Sequence, residues 1–369
     1  MANSDYYIGL ISGTSVDGVD CALVQFDESY PKLVATHSEE ISPELKADIL
    51  ELCSGKNIDL EFYGNTDVAI GQLFAKAASA ILAKENIKKS AVRAIGSHGQ
   101  TVYHHPTGTT PFSLQIGDPN SIAQLSGITT VADFRRRDMA AGGEGAPLAP
   151  LLHRRCFQSS STDRVVLNVG GIANITVLNS DGTCLAFDTG PANVLMDYWI
   201  SKHQQKSYDK NGDWATRGNI IPPLLKLLLD EPYFAKAAPK STGRELFNGP
   251  WLEAKLHKHG QDIAIADVQA TLLRLTIDSI VEEIRKTSNP SEVYVCGGGA
   301  HNNAFMVGLQ ARLRDCNVLS TSKLGIDPDW VEAIAFAWMA KQTIEGRAID
   351  TSPFTGAKQP TILGGIYRN

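Results

Sequence analysis

The sequence has few cysteines, and none of them are paired. Cys21, Cys53, Cys156, Cys184, Cys296 and Cys316 lie far apart, with no C-x-x-C spacing. That scatter excludes a zinc ribbon and a disulfide framework; buried thiols acting as small hydrophobes are the expectation. A basic excess is missing too. Lys and Arg number 34 against 40 Asp and Glu, a net charge of −6, whereas a non-specific nucleic-acid binder carries a basic domain. No uninterrupted apolar run approaches the roughly 20 residues that cross a bilayer. The opening Met-Ala-Asn-Ser-Asp-Tyr-Tyr lacks the basic start and apolar stretch of a secretory leader. The expectation is a cytoplasmic protein with no nucleic-acid and no membrane partner.

What the chain does have is length and a globular balance. Its 369 residues exceed one ordinary core at roughly 100–200 residues per domain. Hydrophobic residues make up 43% and charged residues 20%, which suits a packed interior. Tyr7–Ile11, Cys21–Phe26 and Leu33–His37 read as strands separated by turns. Ser42-Pro43 opens a helix that Gly55 closes, and Thr66–Glu85 is Ala-rich and amphipathic. Val92–Ile95 reads as a strand ending at Gly96-Ser97-His98-Gly99-Gln100. The pattern of strand, Gly-rich turn, strand returns at Val165–Val169 and Ile172–Val177. Further on come a strand at Val293–Cys296 and a last long helix at Asp329–Glu345. The division expected is 1–163 and 164–345, with about 346–369 able to pack back on the first domain.

Three glycine-rich loops stand at strand ends. Ser12-Gly13-Thr14-Ser15-Val16-Asp17-Gly18 presents backbone N–H groups and hydroxyls suited to phosphate oxygens. No G-K-[ST] ends it, so it is not a Walker loop. Asp17 and Asp20 are candidates to hold a phosphate-bound Mg²⁺, which takes one or two carboxylates. Asn168-Val-Gly170-Gly171-Ile-Ala-Asn174 is the second loop and Gly297-Gly298-Gly299 the third. Each alone also suits an ordinary turn; three of them, spread over two domains, point to a ligand.

The three loops resemble the phosphate-1, phosphate-2 and adenosine elements of the actin/hexokinase/Hsp70 ATPase superfamily. More narrowly, nearly the whole chain resembles the anhydro-N-acetylmuramic acid kinase family. The stretches that carry the resemblance are Gly9–Asp20, Ala94–Thr101, Val131–Asp138, Ala141–Pro147, Phe187–Asn193, Lys240–Glu245 and Val295–Ala300. One departure is Ala192, where the family pattern expects glycine; it puts a local turn in doubt.

The resemblance implies an α/β, two-domain actin-like (ribonuclease H-like) fold, with mixed sheets flanked by helices and an interdomain cleft. It also implies an ATP- and Mg²⁺-using homodimer acting in peptidoglycan recycling. Such an enzyme opens the 1,6-anhydro ring of its sugar and phosphorylates O6. Asp188 matches the family's catalytic base, although an Asp before such a turn is also a common helix cap. Ser97, His98, Arg135, Arg136, Arg137 and Asp138 are the sugar-side candidates, since arginine can grip a lactyl carboxylate in a two-pronged pair. Glu332 joins them, or else serves the dipole at a helix start. Another sugar or acyl kinase of the superfamily, or a nucleotide-driven ATPase that grips a protein, is the competing reading. The Arg135–Asp138 and Asp188 stretches discriminate against the first. The lack of a peptide-binding domain speaks against the second.

Overall fold

A computed structural model describes residues 6–13, 15–26, 30–56 and 58–369. They fall into two compact units, 1–152 with 330–369, and 153–329. The first unit contains β1 (Tyr6–Ser12), β2 (Gly18–Phe26), β3 (Pro31–Glu40), α1 (Pro43–Ser54) and α2 (Leu60–Lys84). It continues with β4 (Val92–His105), β5 (Phe112–Ile116), α3 (Pro119–Ser126), β6 (Thr130–Ala132) and α4 (Phe134–Ala140). The chain leaves it within α5 (Ala149–Phe157). The second unit contains β7 (Arg164–Val169), β8 (Ile172–Leu178), β9 (Cys184–Pro191), α6 (Asn193–Gln204), α7 (Pro222–Leu229) and α8 (Pro232–Ala235). It goes on through α9 (Gly249–His259), α10 (Ile265–Thr287), β10 (Glu292–Cys296), α11 (Asn303–Arg312) and β11 (Asn317–Ser320). The chain then returns to the first unit for α12 (Val331–Ile344), α13 (Ser352–Thr355) and β12 (Gly365–Tyr367).

The two sheets repeat one plan. In the first unit the order β3-β2-β1-β4-β6 has an antiparallel meander (β1, β2, β3) beside strands parallel to β1. In the second the order β9-β8-β7-β10-β11 has the same meander and the same parallel pair. This is the ribonuclease H-like layout, present twice. β5 and β12 extend the first sheet, pairing antiparallel with β4 and β6. Each unit has its own apolar core.

Local chemistry fixes the helices. Ser42 caps α1, its Oγ accepting from the Leu45 N–H at 3.2 Å, and Gly55 ends the helix at φ 65°. Asp59 caps α2 by accepting from the Phe62 N–H at 2.7 Å, so α2 starts at Leu60, ahead of the expected Thr66. By length and composition α2 could cross a membrane. Its Ile70, Phe74, Ala77, Ala78 and Ile81 instead fill the core of the first unit.

Helix α12 departs from the expected division and belongs to the first unit. It lies directly on β1 and β4 at two glycines. A Cβ on Gly9 would stand 1.8 Å from the Ala333 carbonyl oxygen, and one on Gly96 2.1 Å from that of Phe336. The break also falls before residue 163. Phe157 stacks on Tyr294 with ring centroids 6.4 Å apart, and Arg164 donates to the Phe157 carbonyl at 3.0 Å, which ties the end of α5 to the second unit. The expectation of buried thiols holds for Cys21, Cys296 and Cys316, whereas Cys53 is exposed.

Candidate active site

In the first unit the β1–β2 turn brings Ser12 into the interior with its Oγ lacking a protein partner. A Cβ on Gly13 would meet nothing within 4 Å, so the turn is open there. Ser15 and Asp17 are exposed and Gly18 half-buried, while Thr14 lies outside the described residues. Asp17 pairs with Lys46 at 2.5 Å. Asp20, half-buried on β2, accepts from the Ser38 hydroxyl at 2.7 Å. The two candidate metal carboxylates are therefore engaged differently, one with a surface lysine and one with a neighbouring strand.

The sugar-side candidates gather around a bulge in β4. Leu10 pairs with Ser97 but Ser12 with Gln100, so β4 carries one extra residue there. Gly99 takes it up at φ 74°, a backbone conformation that glycine adopts without strain. The strand runs on to His105, so Ser97-His98-Gly99-Gln100 lies inside it and not in a loop after it. Ser97 is buried with an unpartnered Oγ, and Gln100 is buried with an unpartnered Oε1.

His98 lies between two fixed partners. Arg135 Nε–H donates to its Nε2 at 2.9 Å, which leaves Nδ1 to donate to the Gly99 carbonyl at 2.8 Å. Burial holds its pKa well below the usual value, and the charge of Arg135 adds to this, against the Gly99 hydrogen bond. His98 is a neutral group of defined tautomer.

The three arginines at the start of α4 separate cleanly. Arg135 is half-buried, and besides His98 it donates to the Gly145 carbonyl at 2.9 Å. Burial pushes its pKa down to about 10, opposed by Glu332 and Asp138. Arg136 and Arg137 are exposed, donating to Asp133 and to the Ile362 carbonyl, each at 3.3 Å. Asp138 is fully buried and its oxygens are occupied. They accept from the Gly145 N–H at 2.8 Å and from the hydroxyls of Thr351 and Thr355 at 2.5 and 2.9 Å. It ties the Gly142–Gly145 loop and α13 to α4. Glu332 sits in the first turn of α12 and keeps solvent access although protein atoms crowd it. Burial raises its pKa, Arg135 opposes that and Asp20 adds to it; the open solvent keeps the effect modest.

In the second unit the Gly170-Gly171 turn joins β7 to β8 and receives the start of α6. The N–H groups of Ala192 and Val194 donate to the Gly171 carbonyl, and that of Asn193 to the Gly170 carbonyl. Ala192 has φ −108°, so the alanine needs no left-handed backbone. Asn168 and Asn174 face each other across β7 and β8. Gly297 and Gly299 press on β7: a Cβ would stand 2.4 Å from Asn168 Oδ1 and 2.2 Å from Val169 Cγ1, respectively. Gly298 between them faces open space.

Asp188 lies within β9, opposite Asn174, and the strand continues to Pro191. The α6 N-cap position is Ala192, so Asp188 is not a helix cap. Its Oδ2 accepts from the Thr242 N–H at 3.0 Å. Its own N–H donates to the Lys240 carbonyl at 3.0 Å, and its carbonyl accepts from the Tyr233 hydroxyl at 2.6 Å. Burial raises its pKa to about 6, with Thr242 lowering it and Glu245 raising it. Sequence reasoning misses Thr242, Glu245 and Tyr233 as neighbours of Asp188. The Lys240–Glu245 stretch, which helps carry the resemblance, is the available signal.

The sequence model described as anhydro-N-acetylmuramic acid kinase matches residues 5–369. The chain belongs to that family. It is 50% identical over 368 residues to the anhydro-N-acetylmuramic acid kinase of Shewanella pealeana, covering 99% of each. It is 49% identical over 364 residues to that of Coxiella burnetii, covering 98% of this chain and 97% of the relative. A solved activator of a 2-hydroxyisocaproyl-CoA dehydratase from Clostridium difficile is similar at TM-score 0.48 and 11% identity, covering 92% of this chain and 96% of that one; so distant a likeness bears on neither ligand nor activity. The family makes the chain an ATP-using sugar kinase with small-molecule substrates. It opens the anhydro ring of 1,6-anhydro-N-acetylmuramic acid and phosphorylates O6.

Proposed function

We propose that Asp188 is the general base of this reaction. It takes a proton from water as the water oxygen bonds to C1. The C1–O6 bond then breaks, and its electron pair lets O6 attack the γ-phosphate of ATP. N-acetylmuramic acid 6-phosphate and ADP leave, and the proton stays on the carboxylate until solvent removes it. The observation that carries this reading is a carboxylate in mid-strand, gripped through its oxygen and its backbone, with a pKa of about 6. A base works best with a pKa near the working pH.

Arg135 is the arginine for the lactyl carboxylate, because it is oriented by His98 and Gly145. Glu332 and the unpartnered Ser97 Oγ are further sugar-side groups. Gly170, Gly171 and Gly297–Gly299, with Asn168 and Asn174, take the nucleotide in the second unit; the Ser12–Gly18 turn takes phosphate in the first. Among the described residues no group of three or more His, Cys, Asp or Glu side chains is placed to hold a metal ion by itself. Mg²⁺ on ATP does not require such a cluster, since phosphates and waters fill most of its shell. Asp20 fits it better than Asp17, which would have to release Lys46. When bound, Mg²⁺ neutralises phosphate charge. A cytoplasmic homodimer in peptidoglycan recycling completes the reading, and sedimentation analysis tests the oligomer.

Running the reaction in oxygen-18 water tests the chemistry. The label should appear on C1 of the sugar product, read by mass and NMR. Label found instead in phosphate would overturn the ring-opening step.

A further inference from the structure

A lysine and a glutamate are buried together beside Asp188. The side chains of Lys240 and Glu283 are each only 3% exposed and stand 3.0 Å apart. Lys240 Nζ also donates to the carbonyls of Tyr233 and Phe234, both at 3.4 Å, and lies 4.9 Å from the centroid of the Tyr233 ring. Glu283, on α10, also accepts from Lys286 at 3.3 Å. As a source of stability this is a poor arrangement: desolvating two charges costs about as much as their attraction returns, and apolar residues of like volume often do as well or better.

The pair does, however, add a polar tie to a piece of chain without regular secondary structure, whose far end is held by the fully buried Phe247 packed on Tyr233 and Phe234. Residues 236–248 form neither helix nor strand. That stretch, with Tyr233 just before it, provides all the groups just described that hold Asp188. The Lys240 carbonyl takes its N–H, the Tyr233 hydroxyl its carbonyl, and the Thr242 N–H its carboxylate. Thr242 Oγ1 is buried beside it without a protein partner. Lys240 thus contacts Asp188 through its backbone while its ammonium anchors the loop to α10.

We propose that the Lys240–Glu283 ion pair is a positioning device for Asp188, clamping residues 233–242 so that the Thr242 N–H meets the carboxylate in one geometry. The proposal rests on Asp188 being the base. From the loop, Glu245 acts on the Asp188 carboxyl and Lys240 meets Asp188 through its backbone. Tyr233 comes from α8 and uncharged Asn174 lies opposite on β8, while Glu283, with Lys286 beside it on α10, faces the Lys240 ammonium. The pair is neutral overall, so its effect on the carboxylate passes through the loop. Thr242 holds the carboxyl's pKa down; a slack loop lets it rise.

The test is the double variant Lys240→Met/Glu283→Met, which keeps volume and leaves no orphan charge. It should melt at or above the wild-type temperature and keep both KM values within about threefold. Its kcat should fall tenfold or more, and the acid limb of its kcat–pH profile should move to higher pH. Wild-type kcat, or a lowered kcat with an unmoved limb, overturns the proposal. If the double variant does not fold, Glu283→Gln decides: a limb moved upward supports the clamp and an unmoved limb removes it. Asp188→Asn, measured alongside, separates the two readings. If it is inactive while the limb of the clamp variant stays put, the base stands and the clamp falls; if it is active, both fall.

Discussion

At position 188, aspartate and asparagine differ in one respect that matters for catalysis: the amide keeps the shape and can still accept from Thr242, but cannot take a proton. Asp188→Asn should therefore bind both substrates and lose turnover by about 10²–10⁴, or roughly 3–5 kcal/mol of barrier. As the proposed base, Asp188 works only when ionised, so wild-type kcat should fall as pH drops through about 6. Stability has the opposite sign. A carboxyl whose folded pKa is raised favours the fold while protonated, and that contribution is lost as pH rises through about 6. The asparagine variant should thus melt higher than wild type at pH 8, the gap closing toward pH 4. A variant that is both active and no more stable would contradict the assignment. Arg135 invites a second substitution. Arg135→Lys keeps the charge but loses the fork that engages His98 and Gly145. The KM for the anhydro-sugar should rise about 10–100-fold, the scale of one charge-assisted hydrogen bond. Exposed Arg136→Ala should change it by threefold or less.

Among the elements, α12 shows what two glycines without side chains permit. Because Gly9 and Gly96 let the helix backbone rest on β1 and β4, Gly9→Ala forces the helix away. That should cost roughly 1–3 kcal/mol or more, with about 2–4 °C of melting temperature per kcal/mol. It should also weaken sugar binding, since Glu332 rides on α12. Gly13→Ala is the control: its Cβ meets nothing within 4 Å, so melting should not change. Equal melting temperatures for the two variants would refute the packing account. These glycines also mark the limit of what the chain discloses. Strand alternation, the Ser42 cap and the three glycine loops can be read directly, because their causes lie within a few residues. That α12 returns to the first unit cannot, since Gly9 meets Ala333 from the opposite end of the chain. The surroundings of Asp188 are hidden for a related reason: residues 236–248 have no periodicity to read, and their role shows only when Thr242 and Lys240 stand beside β9.

For the molecule as a whole, the repeated sheet order gives each unit its own functional ends. In both, the first hairpin of the meander carries a loop of small polar residues or glycine: Ser12–Asp17 in one, Gly170–Gly171 in the other. The strand beside it then carries a second set of candidate residues, Ser97–Gln100 on β4 and Gly297–Gly299 after β10. The units differ in the form that second position takes. In β4 the strand continues through a bulge lined by His98 and buried polar atoms, suited to hydroxyls and a carboxylate. After β10 it stops in three glycines, one facing open space, suited to a flat base or a phosphate. Separate cores mean that a ligand held by one unit should stiffen that unit first. Hydrogen exchange measured with each ligand alone can resolve this. The anhydro-sugar should slow exchange across residues 96–100 and 134–140, and ADP across 168–174 and 297–302. ADP protection confined to residues 96–100, with 297–302 unchanged, would reverse the assignment of nucleotide and sugar to the two halves of the repeat.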